Sequence, residues 1–361
     1  LQSSAFELSS ERQNPVTQAE CTLLIDCDPG IDDMMALAYA FAHPQVQVAA
    51  LVASGGNVST EQVGRNLRGV LELIQESVPV PAAAEVPWAL GAENPLKQTL
   101  TTTEETHGDF GTGYAVLPGQ SVPTEKNHDD GARLWVETAR RYEGQLSGVV
   151  LGPCTNLARA LELDPELPTR LASLHIMGGA LNHRGNTMPT TEWNIHSDPE
   201  AAHQVFEAFD RPDAACYPVL CPLDATESNI LTPELRQRLT AGKEDSPVLA
   251  ALDDALQFYM EFHEGDGLGF IAHVHDPFVT AYAVNRLLQE QGDEGALVLG
   301  KEVETVIDVE LDGKLTRGQT IADWLGRWGR TPNASALMTA EAATFFDHYI
   351  ETVRSCYAHS H

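Results

Sequence analysis

Four carboxylates stand within eight residues in the segment Asp26-Cys27-Asp28-Pro29-Gly30-Ile31-Asp32-Asp33. Charges this close repel one another unless a cation or hydrogen-bond donors offset them, which makes a hard divalent ion the natural partner. Calcium takes about six to eight oxygens from carboxylates, carbonyls and water. Zinc would want thiolates, and Cys21, Cys27, Cys154, Cys216, Cys221 and Cys356 show no C-x-x-C pairing. Counted from Asp26 as an EF-hand, the loop has Leu37 where its closing Glu should stand, so that motif is excluded. Capping of the next helix accounts for Asp32 and Asp33 equally well, but not for Asp26 and Asp28 at a strand end.

The elements that must hold these residues follow from periodicity. Short apolar, β-branched runs alternate with longer helical stretches, the pattern of an α/β fold with an open, mostly parallel Rossmann-like sheet and helices on both faces. Residues 22–26 read as a buried strand, 27–31 as a tight loop and 32–42 as a helix. Residues 46–53 read as a strand and 60–75 as a helix, with Ser59 and Gln62 spaced as a capping box. Strands are also expected at 148–151, 174–177 and 215–220, and helices at 198–209, 247–264 and 277–288. Asp198-Pro199-Glu200 supplies a helix start. Residues 92–130, rich in Thr, Gly and Pro, read as a long irregular excursion.

Further unusual loops follow the strands: Gly55-Gly56-Asn57, Gly152-Pro153-Cys154-Thr155-Asn156 and Met177-Gly178-Gly179. Ligands of open parallel sheets bind beyond the carboxyl ends of the strands, so these loops and the aspartate segment are expected to share one crevice. Read from residues 23 onwards, the chain resembles the inosine-uridine nucleoside hydrolase family. The likeness rests on the aspartate segment and these loops, with Gly185-Asn186, Glu192-Trp193-Asn194 and His275-Asp276-Pro277 following in order.

The resemblance implies the nucleoside hydrolase fold and calcium-dependent hydrolysis of ribonucleosides to free base and ribose, of inosine-uridine type with a lean toward broad specificity. It implies Asp28, Asp33, Asp276 and the Leu151 carbonyl as calcium ligands, with Asp28 also the base that activates the water. Asp32 and Asn57 match residues at the ribose 2′- and 3′-hydroxyls, and Asn186, Glu192 and Asn194 those at its 5′ and 3′ side. His275 matches a group proposed to protonate the departing base. As a lone His before Asp-Pro it is otherwise a hydrogen-bonded core residue. His107, Trp193 and Met177 are candidate cavity walls, each equally readable as a loop or packing residue. The chemistry agrees: an oxocarbenium-like state gains from nearby carboxylates, and a nucleobase leaves better when protonated. A homodimer or homotetramer is implied as well.

Composition narrows the partners. With 22 Lys and Arg against 52 Asp and Glu, the 361-residue chain carries a formal charge of -30, which repels nucleic acid and anionic membranes and suits a small neutral substrate. No stretch approaches the roughly 18 uncharged apolar residues of a membrane span. Residues 1–20 read as a flexible leader without a signal peptide's apolar centre, 21–361 as one domain, and the location as cytoplasmic. Two other readings remain open on residues alone. Asp26-Cys27-Asp28 also resembles the haloacid-dehalogenase phosphatases, although Gly30 replaces their Thr or Val and their Lys and later acidic pair are not evident. A catalytically silent calcium or nucleoside binder is the other. The base-selecting residues are expected in mobile loops at 101–129 and 258–274, the latter holding Tyr259, Phe262, His263 and Phe270.

Overall fold

The computed structural model describes residues 21–77, 83, 85–119 and 129–358. The leader expected over 1–20 and part of the 92–130 excursion lie outside these residues.

Twelve strands occur among the described residues. The first six are β1 Cys21–Cys27, β2 Val46–Ala53, β3 Trp88–Leu90, β4 Leu146–Val150, β5 Leu171–Met177 and β6 Pro218–Cys221. They are followed by β7 Ile230–Leu231, β8 Ala272–His273, β9 Gly300–Thr305, β10 Ile307–Val309, β11 Thr320–Ala322 and β12 Ala334–Ala340. The main sheet runs β3-β2-β1-β4-β5-β6-β12-β9 and is parallel throughout except where β9 pairs antiparallel with β12. Its order reverses direction between β1 and β4, the switch point where doubly wound sheets open a crevice.

All seven residues of β1 are buried, because a parallel strand covered on both faces is apolar along its length. Leu23, Ile25 and Cys27 enter one core and Leu24 the other, following the two-residue alternation of a strand. The first core lies under the helices Ile31–Ala42, Pro247–Gly265, Asp276–Glu290 and Ala342–Tyr357. The second lies under Asp130–Arg141, Thr155–Leu163 and Pro199–Ala208. The six cysteines are free thiols. No helix among the described residues is long and apolar enough to cross a membrane.

Local signals worked where a cap could be read. Asp198 accepts from the Ala201 amide at 3.1 Å and starts Pro199–Ala208, while Ser246, not named from the sequence, caps Pro247–Gly265. The box expected at Ser59 and Gln62 forms by half: the Gln62 amide reaches Ser59 Oγ at 3.4 Å, but the Gln62 side chain turns to Asn66 Oδ1. The irregular excursion contains a helical turn, Glu104–His107, and gives way to Asp130–Arg141.

Candidate active site

The strands β1, β2, β4 and β5 are parallel, so their carboxyl ends lie along one edge of the sheet. There the loops bound a cavity of about 770 Å³, within the usual range for small-molecule sites. Asp28 follows β1, Asn57 follows β2, Leu151 follows β4 and Met177 closes β5, and all four open onto it. Asp32, His107, Asn186, Glu192, Trp193, Asn194, His275 and Asp276 line it too. Asp33 alone among the residues expected to bind metal or ribose does not, being fully buried beside it.

Asp32, Asp33 and Asp276 each offer a carboxylate oxygen within 4.8 Å of the others. This close trio contains Asp32, expected at the ribose, while Asp28 stands next to it. Asp276 reaches the trio as the first residue of its helix, which runs alongside Ile31–Ala42. Asp33 is held by the Asp28 amide at 3.1 Å and the Gly30 amide at 3.0 Å, reaching back from the third helical position to the N-cap of Ile31–Ala42. Burial, then the charge of Asp33, raises the Asp28 carboxyl well above its ordinary value. Burial, then Asp32 and Asp33, does the same to Asp276, and burial followed by Asp32 lifts Asp33 to about 7. No Lys or Arg is among the causes of these shifts. The carboxyls of Asp33 and Asp276 are within hydrogen-bond reach, which requires a shared proton or a cation in its place.

Asp28 is confined on two sides. Its Oδ2 accepts from the Asn57 amide at 2.8 Å, and a Cβ on Gly56 would fall 2.0 Å from that same oxygen. A Cβ on Gly152 would meet Oδ1 at 2.6 Å. Asn57 commits its side chain to protein partners: Nδ2 donates to the Asp28 carbonyl and to Asp33 Oδ2, and Oδ1 accepts from Thr103 Oγ1 at 3.2 Å. Glu192 caps the short helix Trp193–Ser197, accepting from the Asn194, Ile195 and Gly179 amides, and burial raises it to about 7. Asn194 Nδ2 donates to the Leu151 carbonyl at 2.6 Å and to that of Met177 at 3.2 Å. Asn186 Oδ1 accepts from the Trp193 amide, and the buried Trp193 Nε1 has no partner.

His107 is a buried wall residue rather than a solvated loop histidine: its Nδ1 accepts from the Ile31 amide at 3.1 Å and its ring lies 5.5 Å from that of Tyr259. His275 places Nδ1 2.9 Å from Thr226 Oγ1, and burial, then His273 and His263, lowers it to about 3.

Two expectations are corrected. Asp26 does not join the other aspartates: still within β1, it shares the face of Leu24, where Ser54, Trp135 and Asn156 donate to it, whereas Asp28 lies past the strand's end at Cys27 and is turned to the cavity by the loop. Burial raises it to about 6. The stretch expected as a mobile loop from 258 is the end of Pro247–Gly265, so Tyr259, Phe262 and His263 reach the cavity from a helix, and Phe270 does not line it. The sequence reading missed His273, Glu227 and Arg184 on the cavity wall. For His273 a signal existed, since in the His273-Val274-His275 spacing alternate residues of an extended chain share a face.

Residues 23–347 match the family model of the inosine-uridine preferring nucleoside hydrolases. The pyrimidine-specific ribonucleoside hydrolase RihA of Salmonella gallinarum is 33% identical over 334 residues, 92% of this chain and 98% of that one. Its namesake from Escherichia coli O1:K1 is 32% identical over 90% of this chain and 96% of its own. The solved purine-preferring ribonucleoside hydrolase from Gardnerella vaginalis superposes with a TM-score of 0.79 at 25% identity, covering 93% of this chain and 99% of its own. An inosine-guanosine nucleoside hydrolase gives 0.78 at 26%, with the same coverage. These matches set aside the phosphatase and silent-binder readings: the chain belongs to the inosine-uridine preferring nucleoside hydrolase family and is an enzyme of ribonucleoside N-glycosidic bond hydrolysis.

Proposed function

We propose that the chain hydrolyses ribonucleosides with calcium held by Asp28, Asp33, Asp276 and the Leu151 carbonyl, and that Asp28 is the base that activates water. The observation that carries this reading is the gathering of buried, uncompensated carboxylates at a cavity of nucleoside size. The donor set is wholly oxygen, and two of its carboxyls contend for one proton, so a hard divalent ion fits it. Calcium there would supply the positive charge that eases loss of a proton from water.

The chain's own residues do the rest. Asp28, fixed by the Asn57 amide and walled by Gly56 and Gly152, takes the proton as water adds to C1′. Asp32 takes the ribose hydroxyls, while Asn57, its amide already engaged, acts by aligning Asp28 and Asp33. Asn186, Glu192 and Asn194 hold the rest of the sugar, and Met177, Trp193 and His107 close the walls. Charge developing on the ribose is met by Asp28, Asp32 and the amide oxygens around them. His275 faces the departing base; its depressed pKa favours a neutral ring that donates a hydrogen bond from Nε2 while Thr226 Oγ1 serves Nδ1.

The base range proposed is broad, taking inosine and uridine. The relatives divide between pyrimidine- and purine-directed enzymes, and the cavity has volume for either ring. Assembly as a homodimer or homotetramer is part of the proposal, with family resemblance as its support. The test is a nucleoside panel assayed for free ribose, before and after a calcium chelator and on back-titration with calcium. Turnover that survives chelation refutes the metal role, and absence of ribose from every nucleoside refutes the reaction.

A further inference from the structure

Three histidines meet on the wall of the cavity. His263 comes from the last turn of Pro247–Gly265, His273 from β8, and His275 from the residue before the Asp276–Glu290 helix. The extended run 272–275 sends Ala272 and Val274 into the core and leaves His273 and His275 on the cavity side. One short segment anchors both: Thr226 Oγ1 lies 2.9 Å from His275 Nδ1, and the Glu227 carbonyl 2.7 Å from His273 Nδ1. The Tyr259 carbonyl lies 2.7 Å from His263 Nδ1, and the His263 and His273 rings are 5.3 Å apart.

A backbone carbonyl has no proton to give. In both contacts Nδ1 must therefore be the protonated nitrogen, and in the neutral ring Nε2 then carries a lone pair. Burial, the first cause of the lowered His263 pKa, favours that neutral form. Neither Nε2 has a hydrogen-bond partner among the described residues, and both rings line the cavity. Tautomers fixed from behind thus turn two acceptors toward the space beside His275, where the reading proposed above puts the departing base.

Resting on that reading, we propose that His263 and His273 form an acceptor pair that selects nucleosides whose base carries an N–H donor on the edge away from the sugar: a ring imide N–H or an exocyclic amine. A polar site built for a donor rejects the analogue that lacks it more strongly than an apolar pocket rejects an extra atom, because its own polar atoms are then left unpaired.

The experiment compares kcat/KM for uridine with 3-methyluridine and for cytidine with zebularine, which lacks the 4-amino group, in the wild type and in His263→Phe and His273→Phe. The ratio within each pair is read, so a general loss of activity in a variant cancels. His273→Gln, which keeps an acceptor, is the conservative comparison. In the wild type the donor-bearing member should be favoured about 10- to 100-fold in each pair, the cost of one unpaired buried acceptor. Both Phe variants should shrink that preference to within about threefold, and the Gln variant should keep most of it. Wild-type ratios near one overturn the acceptor pair, as do ratios unchanged in the Phe variants. If no nucleoside yields ribose in the wild type, it is the proposed reaction that fails instead.

Discussion

Gly56→Ala tests the placement of Asp28, the proposed base, without touching its chemistry. Gly56 does not have the positive φ that would exclude Ala, so the backbone tolerates the change. The added Cβ, however, falls 2.0 Å from Asp28 Oδ2 and 2.7 Å from its Cγ. Ordinary contacts begin near 3.4 Å, so the oxygen must retreat by about 1.4 Å (3.4 less 2.0). It cannot do so freely, because Gly152 stands so close to Oδ1 that a Cβ there would lie at 2.6 Å. A misplacement of about 1 Å at a reacting group costs on the order of 100-fold in rate, equivalent to about 2.7 kcal/mol of barrier. Gly56→Ala should therefore lower kcat/KM for ribose release by about 100-fold or more, with the melting transition still cooperative. Gly152→Ala, which demands only about 0.8 Å (3.4 less 2.6), should lose less. Gly265→Ala, with nothing within 4 Å of the new methyl, controls for the substitution itself and should leave activity intact. If Gly56→Ala stays within about threefold of wild type, Asp28 is not held by this contact and its assignment as the positioned base loses its structural support.

Asp28→Ala should abolish about 10²- to 10⁴-fold of the hydrolysis rate while the chelated protein melts no lower than wild type, since a buried, repelled carboxyl has been removed; unimpaired turnover refutes its role. His275→Ala should slow inosine more than p-nitrophenyl riboside, whose leaving group needs no protonation, and equal losses count against a role at the departing base. Glu192 carries a pH signature. Its folded-state carboxyl, raised by burial to about 7, still holds a proton that the unfolded chain releases near 4.5. Its contribution is therefore complete below about pH 4.5 and fades as pH rises through 7, by about 3 kcal/mol. Urea midpoints of chelated protein at pH 5 and pH 8 should differ less in Glu192→Gln than in wild type; equal pH dependence contradicts the assignment.

The first βαβ unit was legible because each signal was local: β1 as an unbroken apolar run, an acidic first helical turn, and β2 bounded by Gly-rich residues. The cap at Asp198 was equally local, being a side chain reaching an amide three residues on. The short strand β3 and the helix Asp130–Arg141 carried no such signal. β3 has three residues and is a strand because β2 pairs with it. The spacing of the aspartates pointed to a candidate ion site, and the later motifs in order announced the family.

The amino-acid order by itself determined the family, the candidate residues for the chemistry and that their loops sit at strand ends, because residue type, period and motif order are properties of the chain. Which way each side chain faces was decided by the folded sheet. Asp26 and Asp28 look alike in sequence, and strand alternation alone would put them on one face, yet β1 ends at Cys27, so the strand ties Asp26 to Trp135 while the loop beyond it turns Asp28 to the cavity. Asp276 meets Asp33 across 243 positions only because its helix packs beside Ile31–Ala42. The free Nε2 atoms of His263 and His273 depend on carbonyls of Tyr259 and Glu227 that no spacing rule could supply. Long-range packing fixes such orientations, since burial and hydrogen bonding act on neighbours in space and not on neighbours in the chain.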